Sequence, residues 1–474
     1  MTGSIPTKSS ADGWRGVVDE TFTPDFAALV TRCVVRALAL TRPTRTVLVT
    51  YDGRRGGEAC AAAVAAAASE MGGVQVRLVP HLPTPIASAA LRQGQADVAF
   101  LVTASHNPAR YNGIKVKVAP GRSLPAAVER HVEQMLAEPA PVAVSHLTRL
   151  PAPEPSAGWV NDHVACLLTE LPGSVGGRRS VVVDGVGGIA GQPMAELCRR
   201  LGWQVRLLGG TPDPEFGGLV PDPTWAGTRR RAESMVRDVG ADLAIVLDGD
   251  GDRIFVIDER GRCVQPHELL ALLLDAHGPA RRSDRADDVA VTVSTGMAVH
   301  KVARRQGRGV HETPIGFKFL SPLLAEGKAA AAGGSVGDLA FAEHGIDRDP
   351  FVAVALLADH LNTTGGSLGD LVDALRDEVG RPRWFEFRVA GTGDGQLLHE
   401  AGLRALDGVG LADPGLAVTE LDGVKFRFHD DQWMLLRRST TEAGVRVYGE
   451  LSPGPRNDRL IAQLTASVGE FLAP

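Results

Sequence analysis

The amino-acid sequence predicts an α/β fold with three similar α/β domains, followed by an α+β C-terminal domain that contains an antiparallel sheet. Three observations support this prediction. A unit made of an apolar strand, a glycine-containing turn and a helix occurs three times at wide spacing. The last part of the chain instead alternates apolar with polar residues. Finally, 474 residues are more than a single hydrophobic core usually organises, so several domains are expected.

The three repeated units begin with continuous runs of β-branched and other apolar residues. Their predicted first strands are residues 46–51, 180–184 and 289–294. The predicted helices run through the Ala-rich stretch 59–69, through 197–201 and to a point near Arg305. Strands at 74–79 and 204–208 complete the first two units. Apolar strands that alternate with helices are typical of parallel sheets with crossover helices, which predicts one α/β domain for each unit.

The C-terminal domain is predicted from its alternating strands. Apolar and polar residues alternate in 385–389, 424–428 and 445–448, and 433–437 is a more fully apolar run. This pattern is typical of an antiparallel sheet with one largely solvated face. Residues 457–471 are predicted to form a closing helix.

Composition places the domain boundaries. Residues 138–155 are rich in proline and poor in periodic apolar residues, as linkers are, and a polar turn at 258–261 separates the second unit from the third. The predicted domains cover residues 1–150, 156–258, 259–371 and 372–474.

Charge and composition argue against several classes of function. The net charge of −6 lacks the basic excess of nucleic-acid-binding proteins, so no nucleic-acid partner is expected. No apolar run is long enough for a membrane span, and the first residues lack the apolar core of a signal peptide, so no membrane partner is expected. The five cysteines are scattered without a Cys-x-x-Cys pair, which fits free thiols in a cytoplasmic protein and predicts no zinc site.

The first candidate for chemistry is Ser105, in the segment Ser-His-Asn-Pro that follows the apolar strand 98–103. A serine hydroxyl becomes a phosphoryl carrier when its surroundings position it and supply charge. His106 and Asn107 would provide polar contacts. On its own, such a segment is more often an ordinary turn, because these residue types favour turns.

The second candidate is a loop with three carboxylates, Asp248, Asp250 and Asp252, directly after the predicted strand 244–247. Closely spaced carboxylates at a strand end repel one another unless a hard cation such as Mg²⁺ neutralises them. The intervening glycines let the backbone wrap around such an ion, and Arg253 adds a guanidinium suited to phosphate. A solvated acidic turn is the simpler alternative.

The third candidate is the segment 437–442, which lies between two strands of the last domain. An arginine, hydroxyl groups and backbone amides in one short loop are typical of a phosphate-binding nest. A polar hairpin loop is an equally good interpretation of this segment alone.

Together, these segments resemble the α-D-phosphohexomutases, which include phosphoglucomutase and phosphomannomutase, over nearly the whole chain. Five segments follow the family's order: 11–16 (Ala-Asp-Gly-Trp-Arg-Gly), 103–108 with the downstream Lys115, 248–253, 313–318 (Thr-Pro-Ile-Gly-Phe-Lys) and 437–442. The resemblance implies mixed sheets in the three α/β domains and four domains around a central cleft. It also implies an intramolecular phosphotransferase of the isomerase class, monomeric or homodimeric, that binds a small phosphosugar.

In such an enzyme, Ser105 carries a phosphate that Mg²⁺ bridges to Asp248, Asp250 and Asp252. The phosphoserine phosphorylates the 1- or 6-position of a bound monophosphate, and the bisphosphate returns its other phosphate to the serine, so a sugar 1,6-bisphosphate is the implied activator. The implied catalytic residues are Ser105, His106, Lys115, Arg253 and Arg15, the implied substrate-binding residues are Thr313, Gly316 and Lys318, and the implied phosphate-binding residues are Arg437, Ser439, Thr440 and Thr441. Asp12 is expected to be structural.

The sugar-binding loop departs from the family pattern Gly-Glu-x-Ser-Gly. Aligned on Gly345, Ala342 occupies the Glu position and His344 the Ser position, while Glu343 is shifted by one residue. Loss of one charged hydrogen bond to a sugar hydroxyl costs about 1.5–3 kcal/mol, enough to change specificity. We therefore predict a non-standard hexose-like substrate, bound by Glu343 or by His344 as hydroxyl ligand or general acid/base. The alternative is an ordinary phosphoglucomutase/phosphomannomutase in which Glu343 keeps the usual role.

Two further functions compete with a mutase. One is a catalytically idle phosphosugar-binding protein, which the intact Ser105 and aspartates disfavour because a pure binder needs no phosphoryl acceptor. The other is a phosphatase that uses Asp248 as its nucleophile.

Overall fold

Four sheets organise the protein in the computed structural model, which describes residues 7–10, 12–40, 44–70, 73–138, 151–276, 287–391, 393, 395–412, 415–429, 431–439 and 444–472. The first three sheets mix parallel and antiparallel pairs, and the fourth is antiparallel. The predicted fold class is therefore confirmed. Within the described ranges, no helix is long and apolar enough to cross a membrane.

The first domain is built on a six-stranded sheet. Its elements are β1 (Trp14–Val17), α1 (Pro24–Ala39), β2 (Thr46–Tyr51), α2 (Gly57–Ser69), β3 (Gln75–Leu78), α3 (Thr84–Arg92), β4 (Val98–Val102), β5 (Tyr111–Val118), β6 (Arg122–Ser123) and α4 (Ala126–Ala137). The strand order is β1-β5-β4-β2-β3, with β6 on β5. Strands β3, β2 and β4 are parallel, whereas β5 runs antiparallel to β4. All five residues of β4 are buried, as the continuous apolar run predicts.

The second domain repeats this arrangement. Its elements are α5 (Ser156–Glu170), β7 (Ser180–Asp184), α6 (Gly191–Arg200), β8 (Gln204–Leu208), α7 (Ala226–Val239), β9 (Leu243–Leu247), β10 (Ile254–Asp258) and β11 (Cys263–Val264). The strand order is β11-β10-β9-β7-β8. The buried strand β9 has the same place here as β4 has in the first sheet, between a parallel and an antiparallel neighbour.

The third domain has the smallest sheet and the most helices. Its elements are α8 (Pro266–Ala276), β12 (Val289–Thr292), α9 (Met297–Arg305), β13 (Val310–Thr313), α10 (Phe317–Ala325), β14 (Ala331–Gly333), β15 (Leu339–Phe341), α11 (Pro350–Thr364) and α12 (Leu368–Val379). The strand order is β13-β12-β14-β15. Asp349 caps α11 by accepting the amides of Phe351 and Val352, which satisfies donors that the first helical turn leaves free.

The fourth domain packs helices on an antiparallel sheet. Its elements are β16 (Arg383–Val389), α13 (Gly395–Gly408), β17 (Ala417–Thr419), β18 (Val424–Phe428), β19 (Gln432–Arg438), β20 (Val445–Leu451) and α14 (Asn457–Leu472). The strand order is β16-β20-β19-β18-β17. The burial of Phe426 and Met434 shows that one face of this sheet covers the core of the domain.

Two of the predicted boundaries fall inside connected structure. The boundary at 258/259 lies in the turn of the hairpin formed by β10 and β11, and the boundary at 371/372 lies inside α12. Val372, Leu375 and Val379 of α12 belong to the same hydrophobic core as the α8 leucines. We propose that the third domain begins after Val264 and ends near Val379, because α12 packs against α8 and α9 of that domain.

The fourth domain meets the third through a partly buried ion cluster. The Lys425 ammonium, which is buried, donates to the Val293 carbonyl at 2.8 Å and to Glu312 at 2.9 Å. Arg427 and His300 contact the same carboxylate. Burial raises the pKa of Glu312, but the hydrogen bond from His300 and the charges of Lys425 and Arg427 outweigh burial and lower the pKa to about 2. The carboxylate is therefore ionised and stabilised in the folded protein.

The variant Glu312→Gln is expected to lose about 3 kcal/mol of stability at pH 7, because the buried Lys425 ammonium loses its negatively charged partner. The depressed pKa means that this stabilisation is present above the pKa of the unfolded chain. It is lost as the pH falls from about 4.5 toward about 2. Calorimetric unfolding of both proteins between pH 7 and pH 3 should show their difference shrinking at the acid end. The exposed pair Glu196–Arg199 supplies the control variant Glu196→Gln, expected to change stability by less than about 1 kcal/mol. A constant difference across this range would contradict the prediction.

Candidate active site

Ser105 lies in the turn that connects the buried strand β4 to β5. It has a φ of 52°, which is uncommon for a residue with a side chain, and its amide donates to the Thr103 hydroxyl at 2.8 Å. The Ser105 hydroxyl donates to Asp248 Oδ2 at 2.8 Å. The turn therefore brings the predicted phosphoryl carrier of the first domain to the predicted metal loop of the second.

The serine turn is held by Arg54, which the sequence analysis did not single out. The buried guanidinium donates to the carbonyl oxygens of Ser105, Asn107, Pro108 and Tyr111 at 2.6 to 3.0 Å. Its Nε donates to Asp52 at 3.0 Å, at the end of the neighbouring strand β2. Burial lowers the pKa of Arg54, although Asp52 opposes that shift. Four carbonyls on one guanidinium fix the backbone of the turn and leave the serine hydroxyl to face the carboxylates.

The three aspartates of the second domain are buried and close together after β9. Asp248 Oδ1 accepts the amides of Asp252 and Arg253 at 2.9 and 3.0 Å. Candidate ligand oxygens from Asp248, Asp250 and Asp252 all lie within 4.8 Å of one another. The glycines between them let the loop curl, and Gly251 has a φ of 75° that glycine adopts readily. A solvated acidic turn is excluded, because all three carboxylates are buried.

The electrostatics of this cluster fit a divalent cation. Burial and the charges of Asp252 and Asp250 raise the pKa of Asp248 well above its usual range. Among the described residues, Asp250 Oδ1 and Asp252 Oδ1 are buried without a hydrogen-bond partner. Buried carboxylate oxygens that lack donors are unfavourable unless a cation binds them. Three carboxylates and a serine oxygen are hard oxygen ligands, which magnesium prefers.

Lys115, on β5, balances part of the negative charge. Its buried ammonium lies 2.6 Å from Asp250 Oδ2 and 2.5 Å from Asp252 Oδ2. Burial lowers the pKa of Lys115, but these two carboxylates and Asp12 raise it above its ordinary value. Lys115 is therefore a fixed positive charge beside the carboxylate cluster. The Thr84 hydroxyl, at the start of α3, also donates to Asp250.

A wider charge network joins the third domain to this centre. Arg348, just before α11, lies 2.9 Å from Asp252 and also contacts Asp12. Asp12 is 3.7 Å from Lys115 and 3.6 Å from Lys117. Asp12 was expected to be merely structural, and the structure places it among the charges around the metal loop. Because these residues come from three domains, the network also holds the domains together at the site.

Arg15, His106 and Arg253 lie around the serine turn. Arg15 donates to the Asn107 side chain, and burial lowers the pKa of its guanidinium to about 10, so it remains charged at neutral pH. Burial, Arg253 and Arg15 lower the pKa of His106 well below its usual range. His106 is therefore neutral at physiological pH. The backbone of Arg253 directly follows the aspartate loop and donates to Asp248. Its guanidinium Nη1 lies 3.8 Å from Asp222.

The predicted substrate residues Thr313, Gly316 and Lys318 lie at the turn between β13 and α10. Gly316 has a φ of 134°, directly before the helix, and the Thr313 hydroxyl donates to the Pro314 carbonyl at 3.0 Å. Lys318 is partly exposed, and its ammonium is 3.6 Å from Glu129 of the first domain. The turn therefore lies at an edge between the first and third domains.

The predicted sugar loop follows β15, and its two polar side chains differ in environment. Glu343 is exposed. His344 is buried, with its Nδ1 2.7 Å from Glu170 Oε2 at the end of α5. This contact gives His344 a packing role between the second and third domains. Its role toward a substrate stays a prediction.

Arg437 and Ser439 lie at the end of β19 in the fourth domain. Arg437 Nε donates to Asp422 Oδ2 at 2.8 Å, and the Ser439 amide donates to the Gly444 carbonyl at 3.0 Å. Thr440 and Thr441, also predicted to bind phosphate, lie outside the described residues.

Arg54, Thr84 and Arg348 belong to the site and were missed from the sequence. Arg54 follows a strand end within a glycine-rich turn, which is a signal that could have been read. Arg348 carries no such signal, because it becomes part of the site only through folding of a distant domain.

Comparison with known proteins supports this description. Residues 7–141, 161–261 and 265–379 match the family domains described as phosphoglucomutase/phosphomannomutase, alpha/beta/alpha domains I, II and III. The chain is 29% identical to a phosphoglucosamine mutase of Heliobacterium modesticaldum, covering 96% of this chain and 98% of the relative. It is 28% identical to a phosphoglucomutase/phosphomannomutase of Thermococcus kodakarensis, covering 92% and 93%.

The same fold is found in solved structures. A phosphoglucomutase/phosphomannomutase family protein from Burkholderia thailandensis superimposes with a TM-score of 0.78 over 99% of this chain and 98% of that one, at 21% identity. At that identity the likeness concerns the fold, whereas the matched domains cover most of the sequence. The chain belongs to the α-D-phosphohexomutase superfamily, a group of mutases of the isomerase class.

Proposed function

We propose that this protein is a magnesium-dependent phosphosugar mutase that moves a phosphoryl group between the 1- and 6-positions, or equivalent positions, of a hexose-like monophosphate through phospho-Ser105. The observation that supports this best is the 2.8 Å contact between the Ser105 hydroxyl and Asp248, inside a cluster with two carboxylate oxygens that have no hydrogen-bond partner among the residues described. That contact joins the phosphoryl acceptor to the group that would hold the ion.

Asp248, Asp250, Asp252 and the phosphorylated Ser105 would hold Mg²⁺, which neutralises charge on the transferring phosphoryl group. In the transfer, the bond between phosphorus and Ser105 Oγ breaks as a bond to a sugar hydroxyl oxygen forms. Lys115 offsets the charge of Asp250 and Asp252, and Arg15 and Arg253 bring positive charge to the serine turn.

The proton of the attacking hydroxyl requires an acceptor. His106 is neutral and adjacent to Ser105, and its buried Nδ1 has no hydrogen-bond partner among the described residues. Burial and the charges of Arg253 and Arg15 oppose protonation of this ring, so we assign His106 a hydrogen bond to the attacking hydroxyl, whose proton passes to Ser105 Oγ as the bond from that oxygen to phosphorus breaks.

The rival functions fit the geometry less well. In a phosphatase with Asp248 as nucleophile, a carboxylate oxygen must be free to attack phosphorus. Here Asp248 Oδ1 accepts two amides and Oδ2 accepts the serine hydroxyl. An idle binding protein would have no use for this buried serine and its carboxylates.

We further propose that the substrate is a modified hexose phosphate or another hexose-like phosphate, with Glu343 as the contact to its hydroxyls. The replacement of the family's Glu and Ser by Ala342 and His344 supports the altered substrate. The exposure of Glu343, with His344 buried against Glu170, supports Glu343 as the contact. The names of the two relatives do not decide the sugar, because one is a phosphoglucosamine mutase and the other a phosphoglucomutase/phosphomannomutase.

The test is a panel of hexose 1-phosphates assayed with Mg²⁺ and the matching 1,6-bisphosphates. We expect glucose 1-phosphate and mannose 1-phosphate to be used at least about tenfold less efficiently than the best substrate, because the usual Glu and Ser contacts are replaced. Intact-mass measurement should show one phosphoryl group on Ser105 after incubation with a bisphosphate. Full turnover of both common sugars would support the ordinary mutase instead, and absence of phosphoserine would contradict the mutase itself.

A further inference from the structure

Asp422 links two parts of the predicted substrate site that belong to different domains. It lies in the short connection between β17 and β18 of the fourth domain. Its Oδ2 accepts the amide of Ile315 at 2.8 Å, and Arg437 Nε donates to the same oxygen at 2.8 Å. Ile315 belongs to the turn between β13 and α10, in the third domain. One carboxylate oxygen therefore holds both the turn and the arginine.

The backbone beside Asp422 is fixed by close packing. Gly423 has a φ of 92°, and a Cβ at that position would lie 2.3 Å from the Leu436 carbonyl oxygen of β19. Only glycine fits so close to that strand. The connection is thus pressed against the strand that carries Arg437, and the Asp422 carboxylate has little freedom to move away.

The contact also orients the arginine. An arginine side chain is long and flexible, and its guanidinium binds phosphate best through a fixed edge. Asp422 occupies Nε, and within the described part of the chain the two Nη atoms of Arg437 have no hydrogen-bond partner. The side chain is also mostly buried, with 12% of its surface exposed. This arrangement leaves the edge of the Arg437 guanidinium that carries the two Nη atoms available to bind a ligand.

We propose that Asp422 is a positioning residue. It orients the Nη edge of Arg437 toward a phosphomonoester dianion, and the same carboxylate oxygen fixes the position of the β13–α10 turn. This inference rests on the proposed function, because it takes Arg437 as the dock of the phosphate that is not transferred. Binding of that phosphate in the fourth domain is then transmitted to the turn that carries Thr313 and Lys318 in the third.

The variant Asp422→Ala separates positioning from simple charge, because it removes the oxygen that accepts from Ile315 and Arg437 together with the negative charge. Removing a negative charge beside Arg437 would, by electrostatics alone, strengthen phosphate binding. Loss of positioning would instead weaken phosphate binding. We expect KM for the best sugar monophosphate to rise about tenfold, kcat to change by less than about threefold, and the Kd of inorganic phosphate measured by calorimetry to rise in parallel. An unchanged or lower Kd and KM would overturn the proposal.

Two further measurements keep the test specific. In the background Arg437→Ala, the added change Asp422→Ala should have almost no further effect on KM, whereas additive effects would overturn the positioning role. Hydrogen exchange at the Ile315 amide should be at least about tenfold faster in Asp422→Ala than in the wild type. The control Asp458→Ala alters an exposed aspartate at the start of α14 that contacts Arg383, and it should leave all these quantities unchanged.

The outcomes distinguish this inference from the proposed function. A wild type that binds phosphate through Arg437 but shows no mutase turnover would contradict the proposed function, and the Kd comparison would still test Asp422. A wild type that turns over sugar phosphates, with equal Ile315 exchange and equal Kd in Asp422→Ala, would contradict only the inference.

Discussion

Replacement of Ser105 by Ala is expected to lower mutase turnover by about 10⁴-fold or more, because the group that accepts and returns the phosphoryl group is gone. Alanine keeps the Cβ of Ser105 and removes only the hydroxyl, which donates to Asp248. The fold should therefore be retained. Turnover with the best substrate, intact mass after exposure to a sugar bisphosphate, and thermal unfolding measure the three consequences.

The matched control is Ser69→Ala, which removes a hydroxyl that donates to the Ala65 carbonyl within α2 of the same domain. This variant should keep both turnover and the phosphoryl adduct. If Ser105→Ala kept its turnover, the phosphoryl carrier would be another group, and Asp248 would become the first candidate.

Replacement of Asp250 by Asn is expected to lower turnover by about 10²- to 10⁴-fold, because magnesium supplies several kcal/mol of charge stabilisation in phosphoryl transfer. Asp250 has one oxygen engaged by Lys115 and Thr84 and one oxygen without a partner in the described chain. The variant loses the charge that would hold the ion on the free side. Activity should fall, and the concentration of Mg²⁺ required for half-maximal activity should rise.

A second readout for Asp250→Asn does not depend on turnover. Ions that bind the folded state raise its stability, so Mg²⁺ should raise the unfolding temperature of the wild type and have a much smaller effect on the variant. The control Asp238→Asn changes an exposed aspartate on α7 of the same domain and should respond to Mg²⁺ as the wild type does. Equal magnesium responses in all three proteins would show that the ion binds elsewhere.

Local sequence patterns predicted the elements that carry the site with good accuracy. The strand predicted at residues 98–103, before Ser105, is observed as Val98–Val102, and that at 244–247, before the aspartates, as Leu243–Leu247. Such segments are continuous in the chain, so their apolar periodicity reports directly on burial. The boundaries at 258/259 and 371/372 stay predictions, because composition alone does not distinguish a polar turn inside a hairpin from the end of a domain.

The sequence by itself determined the class of fold, the serine turn and the aspartate loop, because each is a short run of residues with its own chemical character. The tertiary structure alone decided which charges meet. Lys115 and Asp250 are separated by 135 positions, Arg348 and Asp12 by 336, and Asp422 and Ile315 by 107. Contacts between domains depend on how separate sheets pack against one another, and no local periodicity encodes that packing. Ser105 was therefore recognisable from the chain, whereas the charges that surround it became visible only in the folded molecule.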